Sequence, residues 1–224
     1  MLNTRFENIK GVFFDLDGTL IDTAPDFVVT VNQLRAKYNL PALTDKDIRF
    51  HVSTGAGGLV EACFETENEE SFNQVRQELL DLYFDLNHPE SRLFPAADSF
   101  LLKLEEAGIP WGIVTNKPEK FAVPLIKRLG LENRLVCLLC PDHVQNKKPH
   151  PESLYLAASM AKVDPKDCIY FGDHRRDIEA GKAAGMLTAS VEFGYIPPND
   201  TAASWKADYH FDTFEHIYNT LFTQ

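Results

Sequence analysis

Short, continuous apolar segments recur along this 224-residue chain and alternate with amphipathic ones. Apolar runs without polar alternation indicate strands that are buried on both faces, as in a parallel sheet. The predicted strands cover residues 10–16, 109–115, 135–140, 168–172 and 187–192, with a weaker one at 209–211. The predicted helices among them cover residues 96–107, 120–129, 152–161 and 177–184. Strands that alternate with helices favour right-handed βαβ units, so the predicted fold class is α/β with a Rossmann-like parallel sheet.

The interval after the first predicted strand is too long for a simple crossover. Thr19 and Ile109 are 90 positions apart, whereas a crossover between parallel strands needs about a dozen residues plus short loops. Two apolar stripes at helical spacing fill the interval: Phe27, Val31, Leu34 and Tyr38, and then Phe72, Val75, Leu79, Leu82 and Leu86. We therefore predict an inserted all-helical cap at residues 21–90, on a core made of residues 1–20 and 91–224.

Two local features stand out in the predicted cap: the start of its first helix and a glycine-rich segment further on. Asp22 or Thr23 is suited to cap the first helix, with Pro25 in its first turn. The glycine-rich segment 53–58 predicts a flexible loop, and Arg49 precedes it. Together they are the candidates for the loop of the cap that sets substrate specificity. We expect Arg49 to bind a second anionic group of a substrate, such as a carboxylate. An ordinary helix end on the surface is the alternative.

Charge and composition exclude several classes of partner. The chain has 22 basic and 33 acidic residues and a formal net charge of −11, so it would be repelled by nucleic acids and by anionic membranes. No apolar run is long enough to span a bilayer, and the first residues do not resemble a secretory leader. Four cysteines are too few for a disulfide scaffold, which favours the cytoplasm. The sequence leaves open whether the protein is a monomer or a homodimer.

Two carboxylates follow the first predicted strand directly. Asp15 and Asp17 lie in the sequence Asp-Leu-Asp-Gly-Thr, at the carboxyl end of the strand, which is where ligands bind in open α/β sheets. Gly18 permits a sharp turn that would bring backbone N–H groups near an anion. Taken alone, the motif also fits a turn with two solvated acids.

Polar residues follow the later predicted strands too. Thr115 ends one strand and precedes Asn116 and Lys117, so its hydroxyl is placed to bind a phosphate oxygen beside a helix N-terminus. Lys148 precedes a proline-fixed turn in Lys-Lys-Pro-His-Pro. Each feature alone has a common structural explanation, a helix cap for Thr115 and a solvated charge for Lys148. Lys117 has two interpretations, a residue that faces the substrate and a solvated loop lysine, and we favour the second.

The segment Gly-Asp-His-Arg-Arg-Asp adds Asp173 and Asp177 at the same sheet edge. Together with Asp15 and Asp17 they would repel one another strongly in a partly desolvated cleft. A hard divalent cation such as Mg²⁺ and one fixed lysine would offset that repulsion. A carboxylate that attacks a phosphate dianion needs the same positive charges, so the pattern predicts a phosphoryl-transfer site.

The four motifs, in this order, resemble those of the haloacid dehalogenase superfamily of aspartate-nucleophile phosphatases, over essentially the whole chain. The helical insertion resembles the type-1 cap of that superfamily. Residues 18–26 and 115–118 are similar to the phosphoglycolate phosphatase branch. Within it, residues 111–118, 140–144 and 193–196 are most similar to bacterial N-acetylmuramic acid 6-phosphate phosphatases.

This resemblance implies an Mg²⁺-dependent phosphatase that hydrolyses a small phosphate monoester through an aspartyl-phosphate. N-acetylmuramic acid 6-phosphate and 2-phosphoglycolate are the substrates it suggests. By resemblance, Asp15 is the nucleophile and Asp17 is the general acid and base.

The resemblance also assigns the remaining site residues. Asp15, the backbone carbonyl of Asp17 and Asp173 would hold Mg²⁺, with Asp177 behind them or on a metal-bound water. The phosphoryl oxygens would be bound by Thr115, the Asn116 amide and Lys148, with Lys147 as a bystander. His174 stands where the superfamily often has a small residue, and its role is left open.

Two other functions fit parts of the pattern. A sugar-phosphate mutase of the same superfamily would use the same pair of aspartates but retain the phosphoryl group. A non-enzymatic phospho-acceptor switch also clusters aspartate, threonine and lysine, but it needs neither the second aspartate nor a cap.

Overall fold

The computed structural model describes residues 7–222 and has the predicted α/β architecture. The strands are β1 (Gly11–Phe14), β2 (Ile21–Asp22), β3 (Arg92–Leu93), β4 (Trp111–Val114), β5 (Leu138–Leu139), β6 (Cys168–Gly172), β7 (Leu187–Val191) and β8 (Tyr209–Phe211). Six of them form one parallel sheet in the order β5-β4-β1-β6-β7-β8. β1 lies in its interior, where Phe13 pairs with Gly112 on one side and with Tyr170 on the other.

The predicted strands are all present in this sheet, and the fold class is confirmed. β6 and β8 have the predicted bounds, whereas the other four strands are shorter than predicted. The largest difference is at β5, which covers two of the six residues predicted at 135–140. β5 lies at the sheet edge and pairs with β4 alone, through Ile113 and Val114, so less of the segment is held in a ladder.

Helices cover the sheet and form the inserted segment. They are α1 (Ala24–Lys37), α2 (Asp45–Arg49), α3 (Gly55–Cys63), α4 (Glu69–Asp85), α5 (Ala97–Glu106), α6 (Glu119–Arg128), α7 (Glu152–Ala161), α8 (Arg175–Ala183) and α9 (Phe214–Phe222). The predicted helices of the core correspond to α5–α8 within two residues at each end. Pro124 lies inside α6 without ending it, and α9 has no counterpart among the predictions.

The segment between β2 and β3 is helical, as the apolar stripes predict. It contains α1–α4, and β2 and β3 pair antiparallel where the chain leaves and re-enters the core, with Ile21 opposite Leu93 and Asp22 opposite Arg92. The predicted limits of the cap, residues 21 and 90, fall at or just before these two strands.

The prediction of a flexible loop at residues 53–58 is wrong. A 3-10 turn covers Val52–Thr54, and the three glycines that follow lie in α3. Leu59, Val60 and Cys63 of α3 are buried in the cap. This tertiary packing outweighs the weak helix propensity of glycine.

The core of the molecule lies on the sheet. Phe14 stacks on Phe171 with ring centroids 5.2 Å apart and meets Phe100 and Trp111 edge-on. These side chains are fully or almost fully buried, so β1 and β6 are fixed beside each other. Within residues 7–222, no helix is both long and apolar enough to cross a membrane.

Candidate active site

The carboxyl ends of β1, β4 and β6 meet at one edge, because these three strands are neighbours in the sheet. Asp15 follows β1, Thr115 follows β4 and Asp173 follows β6. Lys148 comes from the loop that precedes α7. Parallel strands thus bring together segments that are far apart in the sequence.

Three buried carboxylates form a compact cluster at this edge. Each of Asp15, Asp173 and Asp177 offers an oxygen within 4.8 Å of the others. Asp15 Oδ1 accepts a hydrogen bond from the Leu16 N–H at 2.7 Å. Asp173 Oδ2 accepts one from the Tyr195 N–H at 2.8 Å. The acids are therefore held in place by the backbone as well as by packing.

Lys148 is the cation inside this cluster. Its Nζ lies 3.0 Å from Asp15 Oδ1 and 2.7 Å from Asp177 Oδ1. It also donates to the Val114 carbonyl at 2.9 Å and to the Tyr170 hydroxyl at 2.7 Å. Only 2% of Lys148 is exposed, whereas the adjacent lysine, residue 147, is exposed.

The pKa values of the three buried carboxyl groups show that the single positive charge of Lys148 does not neutralise all of them. Burial alone would raise the pKa of Asp15, but the charges of Lys148 and Arg176 hold it below the usual value. Burial and the charges of Asp15 and Asp177 raise the pKa of Asp173 to about 7. Burial also raises the pKa of Asp177, although Lys148 opposes the shift.

This donor set fits Mg²⁺. The three side chains are oxygen donors, which magnesium prefers, and the raised pKa values of Asp173 and Asp177 express a deficit of positive charge that a divalent ion would remove. Asp15 and Asp173 are placed to hold the ion, with Asp177 beside them.

The side chain of Asp17 does not join the cluster. Asp17 Oδ1 accepts a hydrogen bond from the Thr23 hydroxyl at 2.5 Å, and Lys117 Nζ lies 3.0 Å from the same oxygen. The predicted participation of Asp17 in metal binding would therefore use its backbone carbonyl. Its carboxylate instead lines the cleft beside Asp15.

Lys117 is not the solvated loop lysine that the sequence suggested. It is 8% exposed, and its Nζ donates to Asp17 and, at 2.9 Å, to the hydroxyl of Tyr83 on α4. The same nitrogen lies 4.7 Å and 5.0 Å from the ring centroids of Tyr83 and Phe27. Tyr83 lies one turn after Leu79 on the apolar face of α4, and nothing in that local pattern shows that its hydroxyl meets a lysine of the core.

Thr115 and Asn116 lie in the cleft beside Asp15 and Asp17. The Thr115 hydroxyl oxygen accepts a hydrogen bond from the Lys117 N–H at 3.1 Å. The Asn116 side-chain amide donates to the Lys148 carbonyl at 3.0 Å. The structure thus places the predicted phosphate-binding residues that follow β4 next to both aspartates.

Gly18 permits the sharp turn that the sequence predicts, but its own N–H is not turned to an anion. Its N–H donates to the Ile21 carbonyl at 3.0 Å and is therefore not free for an anion. Its φ is +78°, and a β-carbon there would lie 2.1 Å from Asp173 Oδ2. At Gly194 a β-carbon would lie 2.2 Å from the β-carbon of Asp173. The two glycines make room for Asp173.

The structure does not place Arg49 where a substrate carboxylate would meet it. Arg49 Nη1 lies 3.0 Å from Asp22 Oδ1, and its Nε lies 3.0 Å from Asp45 Oδ2. The guanidinium also stacks over the Tyr195 ring, 5.5 Å from its centroid. Arg49 is thus occupied by acids within the protein and does not line the cleft.

The cap contacts the acidic cluster directly. The Ser53 hydroxyl donates to Asp173 Oδ2 at 2.9 Å. The Ser53 carbonyl accepts a hydrogen bond from the guanidinium of Arg176, which lines the cleft. Ser53 belongs to the predicted specificity loop, but its contact with Asp173 and the role of Arg176 were not predicted, because nothing local in the sequence places the cap over α8.

Tyr195 connects Asp173 with the start of the cap. Its hydroxyl accepts hydrogen bonds from the N–H groups of Thr23 and Ala24 at 2.7 and 2.8 Å and donates to Asp22 Oδ1 at 2.7 Å. Tyr195 therefore satisfies the first N–H groups of α1. The predicted side-chain cap from Asp22 or Thr23 is absent, because Thr23 donates to Asp17 instead.

His174 is the N-cap of α8. Its ring accepts a hydrogen bond from the Arg176 N–H at 3.2 Å, while Asp177 accepts one from the His174 N–H at 3.1 Å. Burial, reinforced by the charge of Arg176, lowers the pKa of His174 to about 4. A neutral imidazole can accept this bond, so His174 orients Asp177.

A cleft of about 450 Å³ lies between this site and the cap. The core contributes Asp15, Asp17 and Thr115, and the cap contributes residues of α3 and α4. Phe27, Leu80 and Phe121 give the cleft apolar walls. Such a space, with acids, hydroxyls and cations at one end, suits a phosphorylated molecule larger than phosphate itself.

The chain belongs to the haloacid dehalogenase-like hydrolase family, whose model matches residues 12–191. It is 44% identical over 201 residues to N-acetylmuramic acid 6-phosphate phosphatase of Pseudomonas aeruginosa, covering 89% of each chain. It is 32% identical over 212 residues to phosphoglycolate phosphatase of Escherichia coli K12, covering 85% of this chain and 84% of the relative. The protein is therefore a phosphoric monoester hydrolase.

Solved structures agree with this assignment. A predicted phosphoglycolate phosphatase from Haemophilus somnus 129PT superposes with a TM-score of 0.83 at 28% identity. The match covers 95% of this chain and 97% of that one. The resemblance found in the motifs is thus confirmed along nearly the whole length.

Proposed function

We propose that the protein is an Mg²⁺-dependent phosphatase that hydrolyses a small phosphate monoester through an aspartyl-phosphate on Asp15. The observation that carries the proposal is the buried cluster of Asp15, Asp173 and Asp177 around Lys148, with Asp17 on the adjoining wall of the cleft. A cytoplasmic site of action, which the composition favours, is part of this proposal.

The first step is an attack of Asp15 on phosphorus. Asp15 Oδ1 is engaged by Lys148 and by the Leu16 N–H, which leaves Oδ2 to form the new bond. The bond between phosphorus and the ester oxygen breaks, and Asp17 gives its proton to the departing alcohol. Magnesium, when bound by Asp15 and Asp173, supplies positive charge to the phosphoryl oxygens.

The second step restores the enzyme. Asp17, now a carboxylate, takes a proton from a water molecule, and the resulting hydroxide attacks the phosphorus of the aspartyl-phosphate. Inorganic phosphate leaves, and Asp15 is again a free carboxylate. Lys148 favours the ionised form of the free Asp15 carboxylate, ready for the next attack, because its charge lies 3.0 Å away.

The first substrates to consider are N-acetylmuramic acid 6-phosphate and 2-phosphoglycolate, because the relatives are named after them. A cleft of about 450 Å³ lies within the range of roughly 300–1,000 Å³ that is common for drug-sized ligands. This volume favours the sugar phosphate, since a two-carbon acid would leave most of the cleft to water.

The test is phosphate release from both substrates in Mg²⁺, with Asp15→Asn as the matched variant. We expect sustained turnover by the wild type and a loss of at least about 1,000-fold in the variant, because an amide is not a nucleophile for phosphorus. Melting curves check that the variant is folded. Activity of Asp15→Asn near the wild-type level would refute the assignment, and a single phosphorylation without sustained release would favour a mutase or a phospho-acceptor.

A further inference from the structure

The cations that line the cleft differ in whether they have partners. Lys117 is bound to Asp17 and Tyr83, and Arg176 is bound to the Ser53 carbonyl. Arg76 of α4 also lines the cleft and is exposed to it. Among residues 7–222, nothing forms an ion pair or hydrogen bond with the Arg76 side chain.

The sequence of α4 leaves Arg76 unpaired. The residues one turn away on either side, Phe72 and Leu80, are apolar, so no acid on the helix neutralises it. Lys37 of the cap, by contrast, lies 2.7 Å from Glu78 Oε2. An unpaired guanidinium at the wall of a cleft is available to an anion that enters it.

The position of Arg76 along α4 fixes how far it lies from the phosphoryl site. Arg76, Leu80 and Tyr83 share one face of the helix and all line the cleft. Tyr83 marks the end beside Asp17, to which it is linked through Lys117. Arg76 is seven residues before Tyr83, which is about 10 Å along the helix axis.

We propose that Arg76 binds a carboxylate that the substrate carries at the end remote from its phosphate. This inference rests on the proposed phosphatase function and narrows its substrate class. In 2-phosphoglycolate a single methylene separates the carboxylate from the ester oxygen, so both charges lie together. In N-acetylmuramic acid 6-phosphate the lactyl carboxylate and the phosphate lie on different sides of the sugar ring. The placement of Arg76 selects a substrate of the second kind.

The role that the sequence analysis gave to Arg49 thus falls to another arginine. Both residues belong to the cap, but Arg49 is held by Asp22 and Asp45. Lys147, the other cation of the cleft wall without a partner in the described chain, adjoins Lys148 and therefore lies at the phosphoryl end. Arg76 is the cation at the far end, and its planar fork suits a carboxylate.

The experiment compares two sugar phosphates that differ only in the lactyl group. We would measure kcat and KM for N-acetylmuramic acid 6-phosphate and N-acetylglucosamine 6-phosphate with the wild type, Arg76→Gln and Arg76→Lys. Arg76→Gln should lower kcat/KM for the lactyl substrate by about 10- to 100-fold, mainly through KM, since a hydrogen bond to a charged group is lost. The other sugar should be affected less than about twofold, and Arg76→Lys should recover part of the loss.

Lys37→Gln is the matched control, because it removes one positive charge from the cap outside the cleft. It should leave both substrates unchanged. If Arg76→Gln loses activity equally on both sugars, or on neither, the inference is overturned while the proposed function stands. The inference also fails if the wild type releases phosphate from 2-phosphoglycolate but does not release it from either sugar phosphate. Absence of phosphatase activity on every ester would overturn the proposed function itself.

Discussion

The ammonium nitrogen of Lys148 lies 3.0 Å from Oδ1 of Asp15, and the two side chains are 1% and 5% exposed. The same nitrogen lies 2.7 Å from Asp177, whose side chain is fully buried. One cation therefore pairs with two desolvated carboxylates, and its removal would take from both the counter-charge that they contact directly.

Replacement of Lys148 by methionine should lower the free energy of unfolding by about 3–5 kcal/mol, the cost of breaking a buried ion pair from one side. Urea unfolding followed by circular dichroism measures this. The neighbouring substitution Lys147→Met is the control, and it should change stability by less than about 0.5 kcal/mol because that side chain is exposed. Equal stability of the two variants would contradict the central place of Lys148.

Magnesium should bind more weakly as the pH falls from 8 to 6. Burial and the charges of Asp15 and Asp177 raise the pKa of Asp173 to about 7, and the ion binds the ionised form. Without metal, a raised carboxyl pKa contributes stability below pH 3.8 that is lost as the pH rises through about 7. Added Mg²⁺ should oppose this loss, and its stabilisation should grow with pH. Melting curves at pH 6 and pH 8, with and without Mg²⁺, measure both effects.

Asp173→Asn is the matched variant for this experiment, because an amide of nearly the same shape cannot ionise. Its stability should vary less between pH 6 and pH 8, and Mg²⁺ should stabilise it little. A melting temperature that Mg²⁺ raises equally in the variant and the wild type would remove Asp173 from the ion site.

His88 should make stability fall on the acid side of neutrality. Its ring is buried, and burial together with the charge of Lys117 lowers its pKa to about 4, against the opposing charges of Asp26 and Asp17. A folded-state pKa below 6.5 means that stability is lost as the pH falls from 6.5 towards 4, because the unfolded chain binds the proton first. The slope of unfolding free energy against pH reports how many more protons the unfolded chain binds than the folded one. In His88→Asn, this number should decrease by up to about one over this range.

Tyr195→Phe should cost about 1–2 kcal/mol, because it removes the hydroxyl that accepts from the first N–H groups of α1 and donates to Asp22. Guanidinium unfolding measures the loss. Tyr155→Phe is the comparison, since that hydroxyl makes one exposed hydrogen bond, to the Ala183 carbonyl. If both variants lost the same small amount, the hydroxyl of Tyr195 would not be fixing the start of the cap.

The sequence was most informative where strands end. Asp15, Thr115 and Asp173 could be placed at one sheet edge because continuous apolar runs identify buried parallel strands, and such strands align their carboxyl ends. The repulsion among these acids called for one fixed lysine, and the resemblance to the superfamily motif selected Lys148 rather than Lys147.

The cap was less predictable, because its side chains act across distances that local patterns do not encode. Lys117 is buried by Tyr83, which lies 34 positions away along the chain. Arg49 is paired with Asp22, 27 positions away. Only the packing of α1, α2 and α4 decides these contacts, and it also turns the glycine-rich segment into a helix.

Gly18 and Gly194 supply no functional group, yet Asp173 fits only because these two residues have no side chain. Every missense change in a glycine codon adds a β-carbon, and at these positions it would lie 2.1 Å from an oxygen and 2.2 Å from the β-carbon of that aspartate. Natural substitutions are therefore not tolerated at these two positions, although neither glycine takes part in the chemistry. A screen for inactivating alleles should recover them alongside the acids they adjoin.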